Sequence, residues 1–146
     1  MARYSIAGRS TIAGTTLRGQ FSLYAVASRT GRVREVGLFN TTTTAYATSF
    51  VRFTATGTQG TALTEANYDD GAPDPQMTGF AGHTADATVG DTLRQVSLGA
   101  AIGAGVIWTF GDSGLVIPAG TGNGVGPIAP SGLTGQITDY YLDWDE

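Results

Sequence analysis

What most constrains this chain is its short-range hydrophobic rhythm: apolar residues recur at every second position in short runs, and glycine or proline ends each run. In "QITDYYLDWDE", Thr138, Tyr140, Leu142 and Trp144 fall on one side, facing inward, and Asp139, Asp143 and Asp145 fall on the other. An extended chain points successive side chains to opposite faces, so this alternation is that of a strand with one face buried. Composition agrees, with 22 Gly and 22 Thr among 146 residues. Threonine is β-branched and favours strands, whereas glycine marks turns and bulges. The chain reads as all-β, without long helices.

Three further runs carry the same signal. In "QFSLYAVAS", Phe21, Leu23, Ala25 and Ala27 oppose Tyr24 and Val26; in "RVREVGLFN", Val36 and Leu38 oppose Val33, Gly37 and Phe39. In "AYATSFVRFTA", Tyr46, Thr48, Phe50 and Arg52 oppose Ala47, Val51 and Phe53. With "RTGR" as a hairpin-type connection around Gly31, the three read as an antiparallel meander. Leu93, Val96 and Leu98 make a later strand. "VIWTF" reads as a buried strand centred on Trp108, "GLVIPAG" as a short strand stopped by Pro118, and "GVGPIAP" as an edge piece containing Pro127. A total of about eight strands predicts a single antiparallel β-sandwich, jelly-roll-like. Residues 1–19 read as an extended N-terminal arm or edge strand, ahead of a sandwich domain over 20–146. Residues 57–92, poor in β-branched apolar residues and rich in acids, read as one long surface loop that touches a partner.

Chemistry is hard to assemble from these residues. There is no cysteine, so thiolate nucleophiles, disulfides and cysteine-ligated metals are excluded. "GDSG", residues 111–114, matches the tetrapeptide around a trypsin-like nucleophile, but the one histidine, His83, lies only thirty residues upstream of Ser113 in the loop. Such enzymes use two barrels, more than 146 residues supply. The tetrapeptide therefore reads as a hairpin turn between "VIWTF" and "GLVI". "GTGNGVG" has the wrong spacing for a dinucleotide loop, and no lysine exists to complete a phosphate loop. Asp139, Asp143, Asp145 and Glu146 could hold Ca²⁺, yet alternate carboxylates are also what a solvated strand face looks like. Asn40 in "NTT" reads as a turn residue. No catalytic residue, cofactor or metal ligand is predicted.

Charge is unevenly placed. Residues 1–58 hold seven Arg and Glu35, a balance of +6; residues 59–146 hold Arg94 and eleven acids, −10, which sum to −4. Either folding interleaves the halves, or the basic part meets the acidic surface of a neighbouring copy or a partner. The acidic total argues against nucleic acid, and no apolar stretch approaches the ~18 residues of a membrane span. The start of the chain carries no h-region of a signal peptide.

The opening "MARYSIAGRST", then "REVGLFNTTTTA", "SLGAAIGAGVIWTF", "GLVIPAGTGNGVG" and the closing "WDE" together resemble a family of small virion-associated proteins of tailed phages of actinobacteria. The resemblance implies a non-enzymatic virion component assembled in the host cytoplasm. The preferred role is capsid decoration, with the major capsid protein and further copies of itself, as a homotrimer, for partners. Arg3, Arg9 and Arg18 on the arm would then reach an acidic capsid surface or a neighbouring subunit. The alternative is a tail or fibre protein binding host-surface glycan, with Tyr68 and Phe80 stacking on sugars.

Overall fold

A computed structural model describes residues 1–146. The strands are β1 (Arg3–Arg9), β2 (Phe21–Tyr24), β3 (Gly31–Asn40), β4 (Tyr46–Ala55), β5 (Thr61–Ala62), β6 (Ala66–Asn67), β7 (Thr78–Ala81), β8 (Thr88–Leu98), β9 (Gly105–Thr109), β10 (Leu115–Ile117), β11 (Gly124–Ile128) and β12 (Thr138–Asp145). There is no helix. All pairings are antiparallel and build two sheets: sheet I in the order β10-β3-β12-β1-β6, with β9 also on β3, and sheet II in the order β5-β7-β2-β11-β4-β8.

The sheets pack face to face as a β-sandwich. Tyr4, Ile6, Val33, Val36, Leu38, Leu142 and Trp144 of sheet I meet Phe21, Leu23, Phe50 and Val125 of sheet II in one buried cluster. The rings of Phe21 and Tyr140 stack across the gap at 4.0 Å between centroids. Burying such side chains contributes about 1.5–3 kcal/mol each. The inward set read from the last segment, Thr138, Tyr140, Leu142 and Trp144, is buried as expected.

Several expectations are corrected. Of the two readings of residues 1–19, the strand and not the arm describes residues 3–9: β1 pairs with β12 from Arg3↔Asp145 to Arg9↔Asp139, with only the two-residue β6 beyond it, and Tyr4 and Ile6 belong to the core. The three early segments form no meander, since β2 and β4 lie in sheet II while β3 lies in sheet I, so "RTGR" crosses between sheets. β9 is an edge strand rather than a buried one: Gly105, Ile107 and Thr109 are exposed, while Val106 and Trp108 pack, partly buried, against the core. The "GVGPIAP" strand β11 is interior and buried throughout. Its ladder with β2 spans only Gly124 and Val125, so Pro127 lies beyond the β2 pairing.

Residues 57–92 are not one surface loop. They contain β5, β6, β7 and the start of β8, and they bury Met77, Ala81, His83 and Ala87. Residues 82–87, joined to residues 17–20, cover part of the outward face of sheet II, while β6 adds to the edge of sheet I. The amides of Gly82, His83 and Ala87 donate to the carbonyls of Gln20, Gly19 and Leu17 at 2.9, 3.2 and 3.0 Å. Beneath lies a second, smaller core of Tyr24, Val51, Phe53, Ala87 and Ile128.

"GDSG" is not a hairpin. β9 pairs with β3 from Phe39 to Glu35 and β10 continues along the same side of β3 from Val33 to Gly31, so residues 110–114 bulge out of one interrupted edge. Gly111 and Gly114 adopt φ of +62° and +64°, a conformation that other L-residues rarely take.

Candidate interaction surfaces

The two outward faces differ. That of sheet II is roofed by its own chain; that of sheet I is largely open, with Arg3, Ala7, Arg9, Gly105, Ile107 and Thr109 exposed. Register sets Arg9, Asp139, Phe39 and Gly105 in one row across sheet I, Ala7, Tyr141, Gly37 and Ile107 in the next, and Arg3, Asp145, Arg32 and Val116 near the far end. A Cβ on Gly37 would come within 2.1 Å of the Tyr141 ring, so glycine here lets that ring lie flat on the sheet. Phe39 stacks beside it at 6.4 Å.

Arg3, Arg9 and Tyr68 share this face, but each is already engaged. Arg3 Nε donates to Asp145 Oδ1 at 2.8 Å, Arg9 grips Asp139 through two bonds of 2.6 and 2.9 Å, and the Tyr68 hydroxyl donates to Asp143 Oδ2 at 2.7 Å. Arg18 and Phe80 lie elsewhere, on the roofed side. Arg18 Nε donates to Asp86 Oδ1 at 2.8 Å, and Phe80 packs edge-on against Tyr24 at 6.3 Å. All four ion pairs join an arginine of the first 58 residues to an acid of the remainder, so folding interleaves the charge-rich halves.

The acids at the end of the chain are not one solvated row. Asp143 and Asp145 are buried, and Asp145 also accepts from Arg34 Nε at 2.6 Å. Burial works to raise the Asp145 carboxyl, but the bonds and charges of Arg3 and Arg34 outweigh it and leave its pKa below the usual range. The Arg9 bond likewise lowers Asp139. Glu146 accepts from the amides of Gln76 and Met77. No group of three or more acids or histidines is placed to hold a metal ion.

His83 is in a loop as read, but it is buried, which sequence reasoning missed. Its Nε2 lies 2.7 Å from Ser22 Oγ, and its ring stacks on Phe53 and Tyr24 at 5.5 and 6.1 Å. Burial lowers its pKa to about 4, so the ring is neutral at pH 7. Ser113 stands apart from it in the exposed bulge.

A group of arginines at the β9–β10 edge was also missed. Arg32 Nη1 donates to Ser113 O at 2.9 Å and Arg52 Nη1 to Val116 O at 2.8 Å. Arg34 bonds the carbonyls of Gly111 and Asp112, and Arg94 sits 5.4 Å from the centre of the Phe110 ring. Their positions in the sequence, on three different strands, gave no sign of this convergence. A further hollow of about 280 Å³ between Tyr24, Phe80, Thr56, Gln59, Thr78 and Thr121 holds no charged residue.

No family model, no curated protein and no solved structure matches this chain.

Proposed function

We propose that the protein is a non-enzymatic structural component of a phage virion, a jelly-roll-like capsid decoration protein that attaches to the major capsid lattice as a homo-oligomer. The observation that carries this reading is the largely open outward face of sheet I, beside a sheet II face that the chain partly covers for itself. An open face whose arginines Arg3, Arg9 and Arg34 are paired with acids across strands suits attachment to a broad protein surface. Complementary charge then sets register while rings such as Tyr141, Phe39 and Tyr68 supply contact area. The resemblance noted in the sequence supports the same role. The test is to add purified protein to capsids that lack it and count copies by cryo-EM: hundreds on the shell are expected, and a few at the tail or none would overturn the proposal.

One observation favours the second reading, a tail or fibre protein that binds glycan. Phe80 lines the uncharged hollow with three threonines and Gln59, groups that can bond the hydroxyls of a neutral sugar. Titration with neutral oligosaccharides, followed through ring resonances of Tyr24 and Phe80, tests it: shifts lost in Phe80→Ala are expected, and no shift removes this reading.

A further inference from the structure

Opposite sides of the sandwich carry opposite charge, the cations coming from both sheets: Arg32 from β3 of sheet I, and Arg52 and Arg94 from β4 and β8 of sheet II. At the β9–β10 edge, Arg32, Arg52 and Arg94 make no ion pair; each touches only backbone or an aromatic ring. Asp112 is the acid of the bulge itself, and Arg34 there is already paired with Asp145. The same edge exposes Ile107 and Val116, 53% and 36% accessible, and Ile102 stands at 73% in the connection leading into it. These aliphatic side chains stand singly among the cations, Ile107 opposite Gly37 and Val116 opposite Arg32, so charge rather than one apolar patch distinguishes this side.

At the far edge, around β6, the pattern inverts. Asp69, Asp70 and Asp74 are exposed and make no ion pair, and Tyr68 beside them is 61% accessible. Arg29 and Met1 also line the hollow of Asp69, Asp74 and Glu146, and the Arg29 Nε donates to Gln76 Oε1 at 3.2 Å. One edge thus offers cations around aliphatic side chains, and the other offers anions around an aromatic one.

We infer that this chain associates head to tail with a second copy, the arginine edge of one molecule docking on the β6 edge of the next. Such a contact is heterologous, because two different patches meet, and repeated about an axis it closes into a ring. The inference deepens the self-association within the proposed function and rests on that part of it alone. It is measured on the isolated chain, so a failure to ring and a failure to attach to capsids are read separately.

The experiment is sedimentation of the wild type, of Arg32→Glu/Arg94→Glu and of Asp70→Lys/Asp74→Lys, alone and mixed, across a salt series, with thermal melts reporting folding. The wild type is expected to sediment at a whole multiple of 15.0 kDa in low salt and to shift toward monomer as salt rises. Each variant alone should be monomeric, since both its edges then carry one sign, and the equimolar mixture should associate again. Asp70 and Asp74 lie at exposed positions outside the strands, so Asp70→Lys/Asp74→Lys remains decisive even if the arginine variant folds poorly. A wild type that stays monomeric up to about 1 mM, an affinity too weak to matter in assembly, overturns the inference. So does an oligomer that Asp70→Lys/Asp74→Lys leaves intact.

Discussion

His83 is buried without its charge, and this makes stability depend on pH. The folded chain holds it neutral, with a pKa of about 4, whereas an unfolded chain protonates it below about 6.5. Between those values the unfolded state binds more protons, so stability is full above the upper value and is lost as pH falls toward the lower one. Urea unfolding at pH 7 and pH 4.5 should show the wild type losing about 2 kcal/mol more than His83→Gln over that interval. Equal losses would remove the account. Asp145 gives a second expectation: Asp145→Asn leaves Arg3 and Arg34 without their carboxylate at a buried position and should cost about 2–3 kcal/mol at pH 7, read by the same unfolding curves. Neither environment was legible in the sequence. The residues that cover His83 and that pair with Asp145 are remote along the chain, and alternation alone assigned Asp143 and Asp145 to solvent. Asn40 was readable as a turn residue, and its side chain does close that turn, accepting from the Thr42 amide while donating to the carbonyls of Thr44 and Gly99.

Among the elements, β1 and the "GDSG" bulge separate what is fixed from what is tolerant. Deleting residues 2–9 strips β12 of a seven-residue ladder and removes Tyr4 and Ile6 from the core. The shortened chain should lack a cooperative melt by circular dichroism; a folded core would mean that β1 is dispensable after all. In the bulge, Ser113→Ala should change stability by under about 0.5 kcal/mol, because the Ser113 side chain is exposed and makes no hydrogen bond. Gly114→Ala should cost about 1–2 kcal/mol: φ is +64°, and the new Cβ would sit 3.0 Å from that of Arg32. Denaturation of the pair in parallel checks both. Positions of the long strands were legible because a period of two survives over eight or more residues, as in β12. Strands of two to four residues, such as β5, β6 and β7, are too short to show a period, so their segment read as a loop. Turn glycines announced that the chain bends at 111–114 but not whether it reverses, since a bulge and a hairpin use the same residues.

At the scale of the molecule the two sheets share one core, so they should unfold together. Phe21→Ala removes a ring stacked across the gap and should cost about 3–5 kcal/mol, with tryptophan fluorescence and circular dichroism still reporting a single transition. Two separated transitions would show sheets that are stable apart. The all-β sandwich was legible from rhythm and composition. Strand order was not, because it rests on pairings between segments whose faces look equally apolar. The uneven charge was visible from the start, yet only the fold shows which arginines are spent within the chain and which are left on an edge. The pairing of β1 with β12 has a further consequence, for synthesis. A nascent polypeptide carries residues 3–9 with no long strand to receive them until residues 138–145 have left the ribosome. Sheet I must therefore close late, across a separation that makes closure slow, and until then the growing chain depends on chaperones or dilution to keep its unpaired strands from one another.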